Sequence, residues 1–355
     1  MELYQGTGGS QAEAAAQGVT AEDIATAFEV MLGRPPTGPE DIAYHLDLGF
    51  RDRQALGDYL CATDEFQRRL DGLAAAGRLP ARTPTEPALL RPATVFLGDR
   101  VLTHTHRGFR IYCAPTDVDL TPHLMAHGMW EPHVEGVLQR LLRPGQCALD
   151  VGANIGYHTL TLGAAVGGTG QVHAFEASPR LHSLLYASVF VNGMSSFVRT
   201  HPLAVMDRPG SITLASQPLH FGSGNVVPDR EMGRHYAEAY SERTEVPAVA
   251  LDAFLPADLT LDLLRIDIEG SEPQALRGAE ALIRRSPNLR ILSEWSVGMM
   301  AVRTDVAAYV GWLTQLDFRF WLVTGSGGLE PLLPGQLLDL PHSDVVMSRG
   351  DPGLA

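Results

Sequence analysis

The chain has 355 residues, a formal net charge of −14 and a hydrophobic content of 45%, so it can bury the core of one large domain with an appendage, or of two domains. The acidic balance, with no basic stripe to offset it, argues against a nucleic acid as partner. No apolar run approaches the length of a membrane-spanning helix and the start is polar, which predicts a cytoplasmic protein without membrane insertion. Three widely spaced cysteines, Cys61, Cys113 and Cys147, form no metal-ligand pair and are interpreted as reduced thiols.

The first part of the chain is predicted to be helical. We expect residues 1–18, which are polar and rich in Gly and Ala, to be disordered. Thr20 and Asp23 form a capping-box pattern in which Asp replaces the usual Glu or Gln, and apolar residues follow at helical spacing in residues 24–32. Further helices are predicted after Pro39, Asp52 and Thr63. Residues 19–77 are therefore predicted to form a small all-α domain.

Two segments of this domain carry a resemblance to a known family. Leu-Gly-Arg-Pro-Pro at residues 32–36 and Asp-Glu-Phe-Gln-Arg-Arg-Leu at residues 64–70 resemble the domain of unknown function 4214. That resemblance implies no chemistry. We interpret residues 20–77 as a module for homodimerisation or for docking a carrier or another partner; the alternative is a helical cap that packs on the rest of the chain.

A linker and a hairpin follow the helical domain. Residues 78–93 contain four prolines and are predicted to form a linker. The domain that follows is predicted to span residues 94–350. It opens with a β-hairpin around Gly98 and Asp99, a third strand at residues 109–113, and a helix at residues 129–142.

A glycine-containing turn is the first strong functional signal. The apolar strand at residues 148–151 is followed by Gly152 and Gly156 and then by a helix from Tyr157, a geometry that brings backbone N–H groups against a ligand. The next strand, residues 171–176, ends in Glu176, and in nucleotide-binding folds an acid at this place accepts hydrogen bonds from ribose hydroxyls. The dinucleotide fingerprint is not met, because Asn154 occupies its second glycine position.

Asp150, just before the turn, indicates the charge of the ligand. A carboxylate there would repel a pyrophosphate and suits a cation better. A sulfonium methyl donor with a free amino group fits both Asp150 and Glu176.

Later segments alternate between strand and helix patterns. The predicted elements are a helix at 180–190, strands at 200–205 and 263–268, a helix at 273–285, a strand at 289–294, a helix at 304–316, and strands at 319–324 and 344–348. This alternation predicts an α/β fold with a doubly wound, mostly parallel sheet. Residues 215–246 show no clear period and are interpreted as an irregular insertion that forms a substrate lid.

Four blocks of the sequence resemble the FkbM-type S-adenosylmethionine-dependent methyltransferases. They lie at residues 150–156, 175–179, 251–255 and 263–272, in the family's order, and the resemblance covers roughly residues 95–350. It implies a Rossmann-like class I methyltransferase fold whose last strand is antiparallel. The family often has Pro where Ala177 stands and Lys where Arg265 stands, and we expect neither side chain to touch the donor.

The resemblance also implies how the donor is bound. Glu176 would bind the ribose hydroxyls, and the turn from Gly152 to Gly156 would bind the methionine portion. Asn154 and Tyr157 would add side-chain contacts. The remaining candidates for donor binding are Glu131, Asp150, Ala177, Ser178 and Asp267. Glu131 would hold the donor's amino group, or else be a solvated acid at the start of a helix.

Acids at neighbouring strand ends are the candidates for catalysis. Asp267 and Glu269 lie two apart and can face one way, and with Glu294 they can form an all-oxygen site suited to Mg²⁺. Alternatively, Asp267 acts directly as base or donor-positioning group while the charge of Glu269 caps the following helix. His220 or His235 from the insertion is a further candidate base.

These observations lead to an expected function with open alternatives. We expect an S-adenosylmethionine-dependent O-methyltransferase that acts on a hydroxyl of a small molecule, such as a specialised metabolite, polyketide or glycan. The acceptor class comes from the family resemblance, since the residues themselves support only the donor. The alternatives are an N- or carboxyl-methyltransferase with the same donor, or a non-catalytic scaffold protein that senses the donor. A nicotinamide-dependent oxidoreductase is the weakest alternative.

Overall fold

A computed structural model describes residues 19–50, 53–61, 63–66, 68–69, 94–217, 219–220, 224–226 and 242–352. The chain divides into two compact units, residues 1–84 and 85–355. The predicted disordered segment 1–18 and the predicted linker 78–93 lie outside the described residues. Every helix in the described residues is too short or too polar to cross a membrane.

The described residues of the first unit form helices after Thr20, Pro39 and Asp52, where the sequence predicts them. Its helices are α1 (Ala21–Ala27), continued by a π-helical turn (Phe28–Leu32), α2 (Pro39–Asp47) and α3 (Arg53–Cys61). The capping box is confirmed, because the Thr20 hydroxyl accepts from the Asp23 N–H and the Asp23 carboxylate accepts from the Thr20 N–H. The π-helical turn ends at Gly33, whose φ of +69° favours glycine.

The described residues of the second unit form three sheets. Its strands are β1 (Val95–Phe96), β2 (Val101–His104), β3 (Arg110–Cys113), β4 (Cys147–Val151), β5 (Gln171–Phe175), β6 (Val198–His201), β7 (Ala204–Val205), β8 (Gly210–Ser216), β9 (Asn225–Val226), β10 (Glu242–Val249), β11 (Leu263–Ile266), β12 (Arg290–Trp295), β13 (Arg319–Val323), β14 (Leu329–Leu332) and β15 (Ser343–Ser348). Strands β1 to β3 form a small antiparallel sheet, which confirms the hairpin predicted around Gly98. The Leu97 N–H donates to the Arg100 carbonyl and closes its turn.

The main sheet has the order β14-β13-β15-β12-β11-β4-β5-β6. Strands β12, β11, β4, β5 and β6 are parallel to one another, while β15 lies antiparallel between β12 and β13. The Rossmann-like, mostly parallel sheet and its antiparallel last strand therefore agree with expectation. The carboxyl ends of the parallel strands meet at one edge, which is where such folds bind ligands.

Helices cover both faces of the main sheet. They are α4 (Leu120–His127), α5 (Pro132–Leu141), α6 (Tyr157–Val166), α7 (Pro179–Val191), α8 (Leu251–Phe254), α9 (Glu272–Arg277), α10 (Glu280–Arg285), α11 (Val297–Ala301) and α12 (Val306–Gln315). Successive side chains of a pleated strand point to opposite faces of the sheet, so they pack into the two cores on either side of it. Ala148 packs with the core that includes residues of α4 to α7, whereas Leu149 packs with the core that includes residues of α9 to α12.

The prediction of a single strand at residues 200–205 is wrong. Strand β6 ends at His201, and β7 belongs to a second sheet of order β7-β10-β8-β9. Pro202 separates the two strands because it has no N–H to donate to a strand ladder.

The prediction of an irregular insertion at residues 215–246 is also wrong at both ends. Strand β8 pairs antiparallel with β10 and with β9, so residues 215–216 and 242–246 lie in strands. The first four residues of β10 are exposed and polar, so no apolar alternation marks this strand in the sequence. Residues 218, 221–223 and 227–241 lie outside the described part of the chain.

Two predicted helices differ from the observed ones. The helix predicted at 129–142 begins only at Pro132, and the unpredicted helix α4 precedes it and ends at Gly128, whose φ is +67°. The helix predicted at 273–285 is interrupted at Gly278 and Ala279, which separate α9 from α10. A Cβ on Gly278 would lie 2.1 Å from the Met206 carbonyl oxygen, so close packing against the chain after β7 requires glycine.

Candidate active site

A cavity of about 740 Å³ lies over the carboxyl ends of the parallel strands. Its floor is formed by the chain just after β4, β5, β11 and β12. One wall comes from the segment that contains α4 and Glu131, and another comes from Leu214, Ser216, Val226 and Thr244 of the second sheet. The cavity therefore lies where the fold of parallel strands predicts a ligand site.

The glycine turn after β4 approaches the chain after β11 closely. Gly152 has a φ of +81°, and a Cβ at this position would lie 1.8 Å from the Asp267 carbonyl oxygen. Asn154 also has a left-handed conformation, with a φ of +50°. Its side-chain Oδ1 is buried and has no hydrogen-bond partner in the part of the chain that the structure describes. A buried acceptor without a donor is costly, so this atom favours a ligand that brings a donor group into the turn.

Glu176 is held at the cavity wall by two backbone N–H groups. Its Oε2 accepts from Asn154 at 2.9 Å and its Oε1 accepts from Ser178 at 2.8 Å. Burial raises the pKa of Glu176 to about 7, although these two hydrogen bonds act to lower it. Each oxygen retains a lone pair, which suits a ligand with two adjacent hydroxyls. Ala177 and Ser178 line the cavity beside it, and the Ser178 hydroxyl caps α7.

Glu131 and His158 form a second polar pair in the cavity. Glu131 Oε2 lies 3.0 Å from His158 Nε2, and both residues line the cavity. Burial acts to raise the pKa of Glu131, but the hydrogen bond and charge of His158, with the charge of Arg265, outweigh it and lower the pKa to about 2. Glu131 therefore presents a carboxylate to a cationic group. The sequence offered no motif that would single out His158.

Tyr157 and Asp150 are placed differently from the prediction. The Tyr157 hydroxyl donates to Glu135 Oε2 at 2.6 Å, so this residue lines the cavity while its polar atom is already engaged. Asp150 is fully buried, does not line the cavity, and accepts hydrogen bonds from Thr159 and Arg265. The geometry gives Asp150 no ligand contact of its own, because its carboxylate lies beneath the turn rather than on it.

Arg265 is a cavity-lining residue that is absent from the candidate site residues predicted from the sequence. Its side chain is 6% exposed, lines the cavity, and donates to Asp150 at 3.3 Å, to the Gly152 carbonyl at 2.9 Å and to Asp267. An arginine in the middle of a buried strand must be paired, and that is the signal in the sequence that could have identified it.

Three carboxylates converge at the other end of the floor, as the sequence predicted. The side chains of Asp267, Glu269 and Glu294 each offer a ligand atom within 4.8 Å of the others. Burial and mutual repulsion raise the pKa of Glu269 to about 8 and that of Glu294 to about 11, and burial raises the pKa of Asp267. Such a cluster can share protons or bind a divalent cation.

The alternative role for Glu269, capping the next helix by its charge, stays a prediction. The carboxylate that accepts from the N–H groups of Ile268 and Gly270 is Glu272. Glu269 instead has a left-handed φ of +56° and lines the cavity.

The predicted candidate base His220 lies at the rim. Its Nδ1 is 2.9 Å from Asp119 Oδ2, and the Val118 N–H donates to the Leu219 carbonyl at 2.9 Å beside it. Val118 and Asp119 are among the described residues that line the cavity, whereas His220 is not. His235, the other candidate base, lies outside the described residues.

Comparison with known proteins places this cavity in a recognised domain. The structure is similar to that of a SAM-dependent O-methyltransferase from Thermotoga maritima, with 12% identity over 74% of this chain and 86% of that chain and a TM-score of 0.36. An O-methyltransferase from Bacillus cereus in complex with SAH shows 13% identity over 83% of this chain and 94% of that one, with a TM-score of 0.34. No curated protein matches the sequence. Residues 150–320 match the family model of the methyltransferase FkbM domain, so this segment of the chain is a methyltransferase domain of the FkbM type.

Proposed function

We propose that the protein is an O-methyltransferase that transfers a methyl group from S-adenosylmethionine to a hydroxyl of a small molecule. The observation that supports transfer to a hydroxyl oxygen is the cluster of Asp267, Glu269 and Glu294 beside the donor turn. An alcohol has a high pKa and needs help to lose its proton, whereas an amine or a carboxylate acceptor needs no strong base.

The residues around the glycine turn fit the donor. Glu176 can accept from both ribose hydroxyls, and the unpaired Oδ1 of Asn154 can accept from a further donor group. The ionised Glu131 suits the donor's ammonium group, while Ala177 and Ser178 provide wall contacts. When bound, S-adenosylmethionine supplies an electrophilic methyl group on its sulfonium.

The acid cluster would prepare the acceptor. Its oxygens can orient the acceptor hydroxyl and take up its proton as the new oxygen–carbon bond forms. Leu214 and Val226 of the second sheet line the same cavity and would exclude water from the reacting groups.

A divalent cation is the second way in which this cluster can act, and we include Mg²⁺ in the proposal. Three carboxylates whose ligand atoms lie within 4.8 Å of one another provide the type of oxygen ligand that Mg²⁺ prefers. Glu294 Oε2 is buried and has no hydrogen-bond partner within the described residues, so it has a vacant lone pair for a ligand. A bound cation would lower the pKa of the acceptor hydroxyl.

Isothermal titration with S-adenosylhomocysteine tests the donor site. We expect micromolar binding, no binding of NAD, and a loss of about tenfold or more in affinity for Glu176→Ala, since the ribose hydroxyls lose their acceptor. Glu245→Ala, which removes an exposed carboxylate of the second sheet, is the matched control and should bind like the wild type. An unchanged affinity in Glu176→Ala would contradict the ribose assignment.

The same titration tests the metal and leads to the acceptor. Mg²⁺ titrated into the wild type should bind, and Glu294→Gln should lose that binding. No binding of Mg²⁺ or Mn²⁺ would leave the carboxylates as proton acceptors alone. Hydroxylated compounds incubated with S-adenosylmethionine should gain one methyl by mass spectrometry; gain on amines only would refute the O-directed assignment.

A further inference from the structure

Arg265 connects the donor turn with the acid cluster. It lies on β11 directly opposite Asp150 on β4, in register across the parallel pair. From that position its guanidinium donates to the Asp150 carboxylate and the Gly152 carbonyl, which belong to the end of β4 and its turn, and to Asp267, which follows β11. The planar guanidinium presents several N–H groups in a fixed geometry, so this side chain connects the turn with the acid.

The guanidinium is also the buried positive charge among several acids. The charges of Asp267, Asp150, Glu131 and Asp344 all favour its ionised form, and the effect of burial alone would be the opposite. Arginine remains charged at every working pH, so the compensation it provides is permanent. Without it, the floor of the cavity would carry an additional uncompensated negative charge.

That charge matters because the donor loses its own positive charge when it reacts. A site that is too negative would hold the sulfonium of S-adenosylmethionine more tightly than the transition state, in which this charge is dispersing, and would slow transfer. We propose that Arg265 is a positioning residue that locks the Gly152 turn to Asp267 and offsets the acids, so that the site does not overstabilise the sulfonium ground state. This inference rests on the proposed donor.

Binding measurements with two ligands distinguish the effect of Arg265 on the position of the turn from the effect of its charge. S-adenosylmethionine and S-adenosylhomocysteine would be titrated, in the presence of EDTA, into the wild type, Arg265→Met and Arg265→Lys. The control is Arg284→Met, which removes an exposed arginine paired with Glu280. Folding of each variant would be followed by thermal melting, so that no readout depends on turnover.

The two substitutions should differ in a defined way. Arg265→Met should weaken S-adenosylhomocysteine by about tenfold or more because the turn is released, and S-adenosylmethionine by less because the site has become more negative. The ratio of the two dissociation constants should thus shift toward the sulfonium by at least about threefold. Arg265→Lys keeps the charge, so it should keep this ratio within about twofold while weakening both ligands. Arg284→Met should match the wild type.

Several outcomes would overturn the inference. Wild-type affinity in Arg265→Met would show that the turn does not depend on the guanidinium, and an equal loss for both ligands would limit Arg265 to structural support. If Arg265→Met fails to fold, Arg265→Lys provides the test. This variant keeps the positive charge, so a shift in the ratio of the two dissociation constants would contradict the proposal that the charge of Arg265 offsets the acids. Failure of the wild type to bind either ligand would instead refute the proposed donor, and this inference with it.

Discussion

At the scale of single residues, Glu176 shows how burial sets the proton state of a binding group. Its carboxylate accepts from two backbone N–H groups, while the negative charges of Asp150 and Asp267 lie close enough to raise its pKa further. A pKa of about 7 means that a substantial fraction of this carboxyl is protonated at neutral pH. Only the ionised form can accept from both ribose hydroxyls with both oxygens.

This proton state predicts a pH-dependent donor affinity. Because the ligand prefers ionised Glu176, binding lowers the pKa of this residue, and affinity must fall as the pH falls below the free-state pKa. With a free pKa of about 7, the affinity for S-adenosylhomocysteine should be about tenfold weaker at pH 6 than at pH 8. Isothermal titration across this range measures it.

Glu176→Gln provides the control for this pH dependence. It should bind more weakly at pH 8 and lose most of the dependence between pH 6 and pH 8, whereas Glu330→Gln, an exposed change on β14, should behave as the wild type. A dependence that persists in Glu176→Gln would assign it to another group, with the Glu131–His158 pair the next to test.

The residues that the sequence placed well differ in kind from those it missed. The position of Glu176 in the cavity could be predicted because it depends on local sequence, at the end of a strand after a glycine turn. The bond between Arg265 and Asp150 depends on which strands are neighbours and in what register, and these residues are 115 positions apart in the chain. Hydrophobic periodicity fixes which face a residue occupies, but not its partner on the next strand.

At the scale of elements, the hairpin of β8 and β9 forms a roof over the cavity, and besides the pairing of β8 with β10 the described residues show two further attachments. At its tip, Leu219 and His220 contact Val118 and Asp119 before α4. At its side, the Arg303 guanidinium donates to the Val226 carbonyl at 2.9 Å. Since residues of this hairpin and of the α4 segment line one cavity, the contact at the tip closes the cavity on that side.

Weakening the tip contact should speed ligand exchange. The His220 side chain is 45% exposed and that of Asp119 36%, so the hydrogen bond between them contributes at most about 1 kcal/mol. Asp119→Ala should therefore raise the dissociation rate of S-adenosylhomocysteine by about two- to fivefold with little change in stability. Stopped-flow fluorescence can follow this, because Trp130 lines the cavity.

The control for this rate lies in the same sheet. Glu245→Ala removes the hydrogen bonds that its carboxylate accepts from Ser211 and Thr213 across β8 and β10, but leaves the tip untouched. It should dissociate at the wild-type rate. An unchanged rate in Asp119→Ala would mean that the roof opens elsewhere or that the ligand leaves without opening it.

The elements also show which parts of the fold a sequence pattern can predict. The parallel strands β4, β5 and β11 are buried on both faces and appear as short apolar runs, so they were recognised. The second sheet was not, because β10 begins with four exposed residues and β7 follows β6 after only two residues. Tertiary pairing stabilises these strands where their own composition gives no signal.

At the scale of the whole molecule, the second unit has a core built from its own residues. The two hydrophobic clusters on either side of the main sheet contain buried residues from Val101 onward. The first unit has a separate set of buried apolar residues, among them Ile24, Phe28, Leu56 and Leu60. A unit that buries its own core can fold alone.

A fragment of residues 94–355 is therefore expected to fold and to bind the donor. Its affinity for S-adenosylhomocysteine should stay within about threefold of that of the full chain, since residues 1–93 supply none of the described cavity lining. A fragment of residues 115–355 is the contrasting control. It loses Val101 and Ile111, which are fully buried, and should melt well below the longer fragment. If the 94–355 fragment aggregates or loses donor binding, the helical unit is part of the enzyme's fold. If the fragment binds normally, residues 20–77 remain available for the docking or dimerisation role. Sedimentation of the full chain and of the 94–355 fragment would then test for dimerisation.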